Sequence, residues 1–351
     1  MTTVVWSPDT RLHDPKGAVW VGMPDPGDEV AGRVDVILAA LEAAGHRSIE
    51  AAPHDDTILD AVHDPEYLHH LETVHDEWLR SGIPERIGQD RVVPYMFPTD
   101  AMLDGLPWHR PTMVHARAGK YAFDTMTPVG PGTWAAARAA VDCALTAVDV
   151  VADGGDSAYA LCRPPGHHVT RSAYGGSCYL NNAAVAAEAL RRAGHERVGI
   201  VDIDAHDGNG TASIFYRRGD VFYGSVHIDP GAGWFPHVVG FADETGAGAG
   251  VGATVNVPLA PDTGDEPWLE GVAALAQAVR EHGSTALVVS LGVDAGADDP
   301  NSPLRITRDG YVEAGRLLRA LERPTVTVQE GGYVLETLGG LVAGFLVAFR
   351  A

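Results

Sequence analysis

The sequence predicts an α/β fold, a single domain over residues 1–351, built on a mainly parallel sheet with helices on both faces. Three observations predict it. Short apolar, β-branched runs recur along the chain, and helical patterns fall between many of them. The length of 351 residues, 45% of them hydrophobic, suffices for one large core. No internal repeat, low-complexity tract or linker-like stretch divides the chain.

The strand candidates are, in order, Thr3–Trp6, Ser48–Ala51, Ala158–Cys162, Val198–Ile203, Val221–Val226, Thr254–Leu259, Ala286–Leu291 and Thr325–Val328. Gly, Pro or Asp follows each within a few residues. Several are largely apolar, as strands buried on both faces are. Helical patterns cover Gly32–Ala44, Trp134–Ala152, Asn182–Ala193, Trp268–Glu281 and Asp309–Leu321. Strand-helix alternation of this kind makes parallel sheets, whose chemistry lies beyond the carboxyl ends of the strands. The stretch from about Ile83 to Gly130 differs. It is rich in Pro, Gly, Asp and Arg and weakly periodic. It reads as a long loop insertion that serves as a lid, a channel wall or a dimer surface.

Charge and cysteines narrow the function. A formal net charge of -22 argues against a nucleic-acid partner, since phosphate binding needs a basic face, and suits the steering of a cationic substrate. No run of eighteen apolar residues occurs, so no membrane span is expected. No basic region precedes an apolar stretch near Met1, and Cys143, Cys162 and Cys178 are few and far apart. A cytoplasmic protein without a disulfide framework is the expectation.

Four motifs carry chemistry. Val201-Asp202-Ile203-Asp204-Ala205-His206 is a strand-like run ending in Asp-x-His. Residues two apart on a strand point the same way, so Asp204 and His206 can face one ion. Asp294, at the end of another apolar run, is the best third ligand. Two carboxylates and one imidazole make an open catalytic metal site. Arg163-Pro164-Pro165-Gly166-His167-His168 places two imidazoles in tandem, able to accept and donate protons. Asp202 and Asn209 are suitable acceptors to fix their tautomers. Gln329-Glu330-Gly331-Gly332-Tyr333 brings a Tyr hydroxyl close to a site, where it can stabilise an oxyanion. A second tandem pair, His69-His70, lies on an acidic helical stretch, where neighbours splay by about 100°. That pair reads as a solvated face.

These motifs, with His63–Tyr67, Pro131–Trp134, Tyr179–Ala184, Gly208–Thr211 and Phe241–Gly246, resemble the histone deacetylase superfamily, a branch of the arginase–deacetylase fold. Within it the chain is similar to the bacterial acetylpolyamine amidohydrolase and class II deacetylase branch. The resemblance implies an eight-stranded parallel sheet and one zinc held by Asp204, His206 and Asp294. It implies His167 and His168 as the acid/base pair, with His168 the base and His167 its electrostatic partner, and Tyr333 as the carbonyl-polarising group. It implies a structural potassium near Asp202, Asp204, His206, Ser225 and Val226, and a second monovalent site near Phe215. The Gly176 carbonyl would accept the substrate amide hydrogen, and Phe235 would form one aromatic wall of the substrate channel. A homodimer, narrowing the entrance through the long loop, would match the amidohydrolase branch.

Two positions depart from the family pattern. Ser177 stands where an aromatic is usual, which removes a wall unless Tyr174 or Trp234 fills the gap. Asp207 stands where a second His usually follows His206, and reads as a group behind the metal ligands. The binuclear arginase pattern needs carboxylates at Gly208 and Gly296, which glycine cannot supply. The expected function is zinc-dependent removal of an acyl group, foremost acetyl, from a small cationic amine such as an acetylpolyamine or an acetyl-lysine-like molecule. The alternatives are a protein-lysine deacetylase and a catalytically silent acyl-amine binding protein.

Overall fold

Burial on both faces turns the apolar runs into strands of one sheet in the computed structural model, which describes residues 2–349. The strands are β1 (Thr3–Trp6), β2 (Ala18–Trp20), β3 (Met23–Asp25), β4 (Arg47–Glu50), β5 (Ser157–Ala160), β6 (Val198–Asp202), β7 (Val221–Ile228), β8 (Thr254–Leu259), β9 (Ala286–Leu291) and β10 (Thr325–Gln329). β2 and β3 pair as a separate antiparallel hairpin that the sequence reading did not anticipate. The other eight form one sheet in the order β4-β1-β5-β10-β9-β6-β7-β8, every pair parallel. The expected α/β architecture is thus the observed one.

The two faces are visible in the strand sequences. On β6, Val198 and Ile200 enter one apolar cluster, while Val201 enters the other. On β9, Val288 joins the first, and Leu287 and Val289 the second. Side chains alternate across a strand, so a fully apolar run feeds two cores at once. Helices Pro65–Arg80, Thr133–Ala152 and Asn182–Arg192 cover the first face; Gly32–Ala43, Asp265–His282, Arg308–Arg319 and Leu335–Leu346 cover the second. Leu335–Leu346 was missed because its Gly339, Gly340 and Gly344 weaken its helical pattern.

One expectation is corrected here. His70 is buried, not solvated: its ring stacks on Tyr121 with centroids 4.2 Å apart, and burial pushes its pKa down to about 3. Residues Ile83 to Gly130 pack partly over this region, so His70 sits under a cover that sequence periodicity does not reveal. That segment carries short helical turns at Ile83–Ile87, Asp100–Leu103 and Val114–Arg117, and a bridge from Val92 to Val129.

The central strands bring the motifs together. β5, β10, β9 and β6 are neighbours, and each is followed by one motif: Arg163–His168, Glu330–Tyr333, Asp294, and Asp204 with His206. All four leave the same carboxyl edge of the sheet.

Candidate active site

The turn that carries the tandem histidines is held from three sides. Glu330 Oε2 accepts hydrogen bonds from the backbone amides of Gly166 (2.7 Å) and His167 (3.1 Å). The His167 carbonyl accepts from Thr211 N at 3.0 Å. Asn181, which caps helix Asn182–Arg192 by accepting from Ala184 N, donates from its amide to the Val169 carbonyl at 3.1 Å. Such a cap stabilises a helix by about 1 kcal/mol, and here the same side chain also ties that helix to the histidine turn.

The two imidazoles meet different acceptors. His167 Nδ1 lies 3.0 Å from Asp202 Oδ2, and His168 Nδ1 lies 2.8 Å from Asn209 Oδ1. Each Nδ1–H therefore donates backward, which leaves each Nε2 for chemistry. Burial alone would lower the pKa of His167, but the Asp204 and Asp202 carboxylates prevail and hold it well above the usual value. Burial, reinforced by the charges of His167 and His206, holds His168 well below. Neighbouring groups pushed apart in this way are suited to opposite proton-transfer roles.

Asp204, His206 and Asp294 place ligand atoms within 4.8 Å of one another. His206 Nδ1 stands 3.3 Å from both Asp204 Oδ1 and Asp294 Oδ2. Its Nε2–H donates to the Asn301 carbonyl at 3.0 Å, which orients the ring so that Nδ1 faces the carboxylates. Asp294 Oδ2 is buried and receives no well-formed hydrogen bond. Its other oxygen accepts from Ala205 N at 2.9 Å, while Asp204 Oδ2 accepts from Gly331 N at 2.9 Å. Burial and then the Asp204 charge push Asp294 up to about 6. His206, against its burial, is raised to about 10 by the Asp204 and Asp294 carboxylates that it faces. Two buried carboxylates converging on one imidazole nitrogen demand positive charge between them. A divalent cation with a taste for mixed O and N donors satisfies that demand. The crowding is built in: a Cβ at Gly292 would collide with the Asp204 carboxylate, and one at Gly331 with those of Asp294 and Asp204.

A second buried trio, His167, Cys178 and Glu330, also brings ligand atoms within 4.8 Å. There Glu330 Oε2 is engaged by the Gly166 and His167 amides and His167 Nδ1 by Asp202. At Gly208 a Cβ would strike the Asp202 carboxylate, so the binuclear arginase pattern has no room there.

Tyr333 lines the same pocket as His168, His206, Gly176, Ser177, Trp234 and Phe235, a cavity of about 460 Å³. Burial and the Asp294 charge hold the Tyr333 hydroxyl well above its usual pKa, so it stays a donor. Its backbone is fixed by Tyr333 N donating to Asp299 Oδ2 at 2.8 Å, and the Arg33 guanidinium sits 5.0 Å from its ring. Phe235 packs edge-on to His168 at 4.8 Å. Tyr174 does not fill the gap beside Ser177: it is fully buried and stacked against Tyr179. Asp207 is buried. Its carboxylate accepts from the Tyr223 hydroxyl at 3.2 Å, and burial pushes it up to about 6. Asp202 and Ser225 are register partners on β6 and β7, with Asp204, His206 and Val226 beside them; Phe215 lies at the end of helix Asn209–Phe215.

Sequence reasoning assigned no role to Glu29, Arg33, Asp299, Asn301 or Glu330. Of these only Glu330 lay inside a recognised motif. Arg33 donates to the backbone carbonyls of Gly332 (2.7 Å) and Glu330 (2.5 Å), and to Glu29 Oε1 at 3.0 Å. Arg163 donates to Glu29 Oε2 at 2.9 Å. One buried carboxylate thus holds two buried guanidiniums behind the site. Glu29→Ala would leave both cations uncompensated and is expected to cost about 3–5 kcal/mol, measurable as a fall in chemical-denaturation stability.

With this geometry the class of protein is defined: a hydrolytic deacetylase acting on amide bonds, on the parallel-sheet scaffold described above. The chain belongs to the histone deacetylase family, matching the Histone deacetylase domain over residues 28–348. It is 42% identical to an acetylpolyamine amidohydrolase of Burkholderia pseudomallei, over 98% of this chain and 97% of that protein. It is 39% identical to the acetylpolyamine amidohydrolase of Mycoplana ramosa, over 98% of each. A crystal structure of acetylpolyamine aminohydrolase from Burkholderia pseudomallei superimposes with a TM-score of 0.92 at 41% identity, covering 100% of this chain and 99% of the other.

Proposed function

We propose that this chain is a zinc-dependent amidohydrolase that removes the acetyl group from a small acetylated polyamine. The observation that carries the reading is the Asp204, His206 and Asp294 trio, with His167 3.8 Å from Asp204, opening through His206 onto a pocket that His168 and Tyr333 also line. The names of the relatives across the whole chain support the substrate class. Asp25 and Asp28 at the mouth, and the net charge of -22, suit a cationic substrate.

Asp204, His206 and Asp294 would hold the zinc, which supplies a Lewis acid for the acetyl carbonyl and activates water. His168, neutral at Nε2, accepts the proton of the attacking water. His167, kept protonated by the Asp204 and Asp202 carboxylates, stabilises the charge that builds beside it. Tyr333 donates its hydroxyl proton in a hydrogen bond to the developing oxyanion. The amine leaves after taking a proton from the histidine pair. Asp202, Asp204, His206, Ser225 and Val226 offer carboxylate and carbonyl oxygens for a structural potassium, with a second monovalent site in the backbone around Phe215.

The assignment of His167 has a pH signature. Asp202, alongside Asp204, favours the protonated imidazole, so removing its charge lowers the His167 pKa. Asp202→Asn is expected to move the alkaline limb of kcat to lower pH. An unmoved limb would separate His167 from the pH profile.

We further propose a homodimer formed through the 83–130 segment. Tyr95 and Leu106 there are 72% and 69% exposed, and Trp20 and Met23 of the hairpin are 62% and 68% exposed. Light scattering checks it, a monomeric mass being the contrary result. The substrate is tested by comparing kcat/KM on monoacetylated diamines and on acetyl-lysine peptides. The proposal expects the diamines to be preferred; a strong preference for peptides would identify a protein-lysine deacetylase.

A further inference from the structure

Ser177 leaves one side of the pocket without a large side chain, and a ring from elsewhere in the chain stands next to that side. Residues Gly175 to Cys178 form a tight turn, closed by Cys178 N donating to the Gly175 carbonyl at 3.0 Å. Gly176 and Ser177 occupy its two central positions with φ of 57° and 62°, the left-handed pair of a type I′ turn. The segment Tyr121–Thr127 grips this turn along its length. Tyr174 N donates to the Tyr121 carbonyl at 2.8 Å, and Phe123 N to the Tyr174 carbonyl at 3.0 Å. Asp124 Oδ2 accepts from Gly176 N at 2.6 Å, and Thr127 Oγ1 accepts from Ser177 N at 2.9 Å. Asp124 is half-buried with neutral donors around it, so its place is set by these bonds.

The grip fixes Phe123. Its ring lies on the bare Cα of Gly175, where any Cβ would run into it. It is half-buried and nearly parallel to Phe235, with an interplanar angle of 22° and centroids 6.3 Å apart. Phe235, which lines the pocket, packs in turn on His168, and Phe123 stands beside it. An alkyl chain between two faces needs about 7–8 Å, two carbon contacts of about 3.5–4.0 Å each. A shift of about 1 Å by the half-buried ring admits it.

We propose that Phe123, delivered by the 83–130 segment, is a specificity-determining residue: with Phe235 it clasps the methylene chain of the substrate, in place of a side chain at Ser177. The inference rests on the deacetylase reading above. It assigns the Tyr121–Thr127 stretch a direct part in choosing substrates by chain length.

The test is steady-state kinetics on monoacetylated α,ω-diamines with three to seven methylenes. Phe123→Ala is expected to raise KM about ten-fold for the longest substrate and less than about two-fold for the shortest, with kcat within about two-fold. Phe123→Tyr keeps the ring and should restore the wild-type length dependence. Phe123→Leu keeps bulk without an aromatic face and serves if the alanine variant folds poorly. If Phe123→Ala (or Phe123→Leu in its stead) left the length dependence intact, the clasp would be overturned. A wild-type enzyme inactive on every acetylated amine would instead overturn the deacetylase reading, and the clasp with it.

Discussion

Tyr333→Phe is expected to lower kcat by about 10²–10³-fold while the metal content stays at the wild-type value. The substitution deletes one oxygen and leaves the ring, which keeps its contact with Arg33. Tyr333 N still donates to Asp299, so the loop after β10 stays in place. What disappears is a donor whose proton is secured by burial and by the nearby Asp294 charge. Such a donor gains most when charge develops on the carbonyl oxygen, so the loss falls on kcat more than on KM. Turnover measured alongside metal analysis checks it. Equal losses of metal and turnover would reassign Tyr333 to holding the site together.

Asp294→Ala is expected to have the other large effect. It removes one of two carboxylates facing His206 Nδ1 and also the acceptor for Ala205 N. Loss of a residue that merely supports a ligand weakens metal binding about 10–100-fold, and loss of a ligand itself should exceed that. The purified variant should carry little zinc and show negligible deacetylation, with partial recovery only in excess zinc. Asp294→Asn keeps the shape and an oxygen donor but loses the charge, and should fall between. A variant that retains stoichiometric zinc would remove Asp294 from the ligand set.

Much of this site was legible in the sequence, for a physical reason. Parallel strands buried on both faces are continuous apolar runs, so their ends stand out, and Asp204, His206, Asp294 and the histidine pair all follow such ends. Asp202 and Asn209 lie close in sequence to the β6 motif, and they sit against His167 and His168. What stayed hidden depends on contacts between distant segments. Glu29 meets Arg163 across 134 positions, and Arg33 reaches Gly332 across 299. Asn301 supplies only a backbone carbonyl to His206, a role that any residue type can fill. His70 read as solvated because helical periodicity records which residues share a face, not which irregular segment covers it. Phe123 lies in a weakly periodic stretch and acquires its meaning only from its placement beside Gly175 and Phe235.

The central claim is that one metal bound by Asp204, His206 and Asp294 is needed for hydrolysis of an acetylated amine. The direct measurement is release of acetate from a monoacetylated diamine by the purified protein, before and after chelation and during titration with zinc. The account predicts that chelation abolishes release and that recovery saturates at one zinc per chain. Undiminished release after complete removal of metal, or recovery that requires two ions per chain, would contradict it.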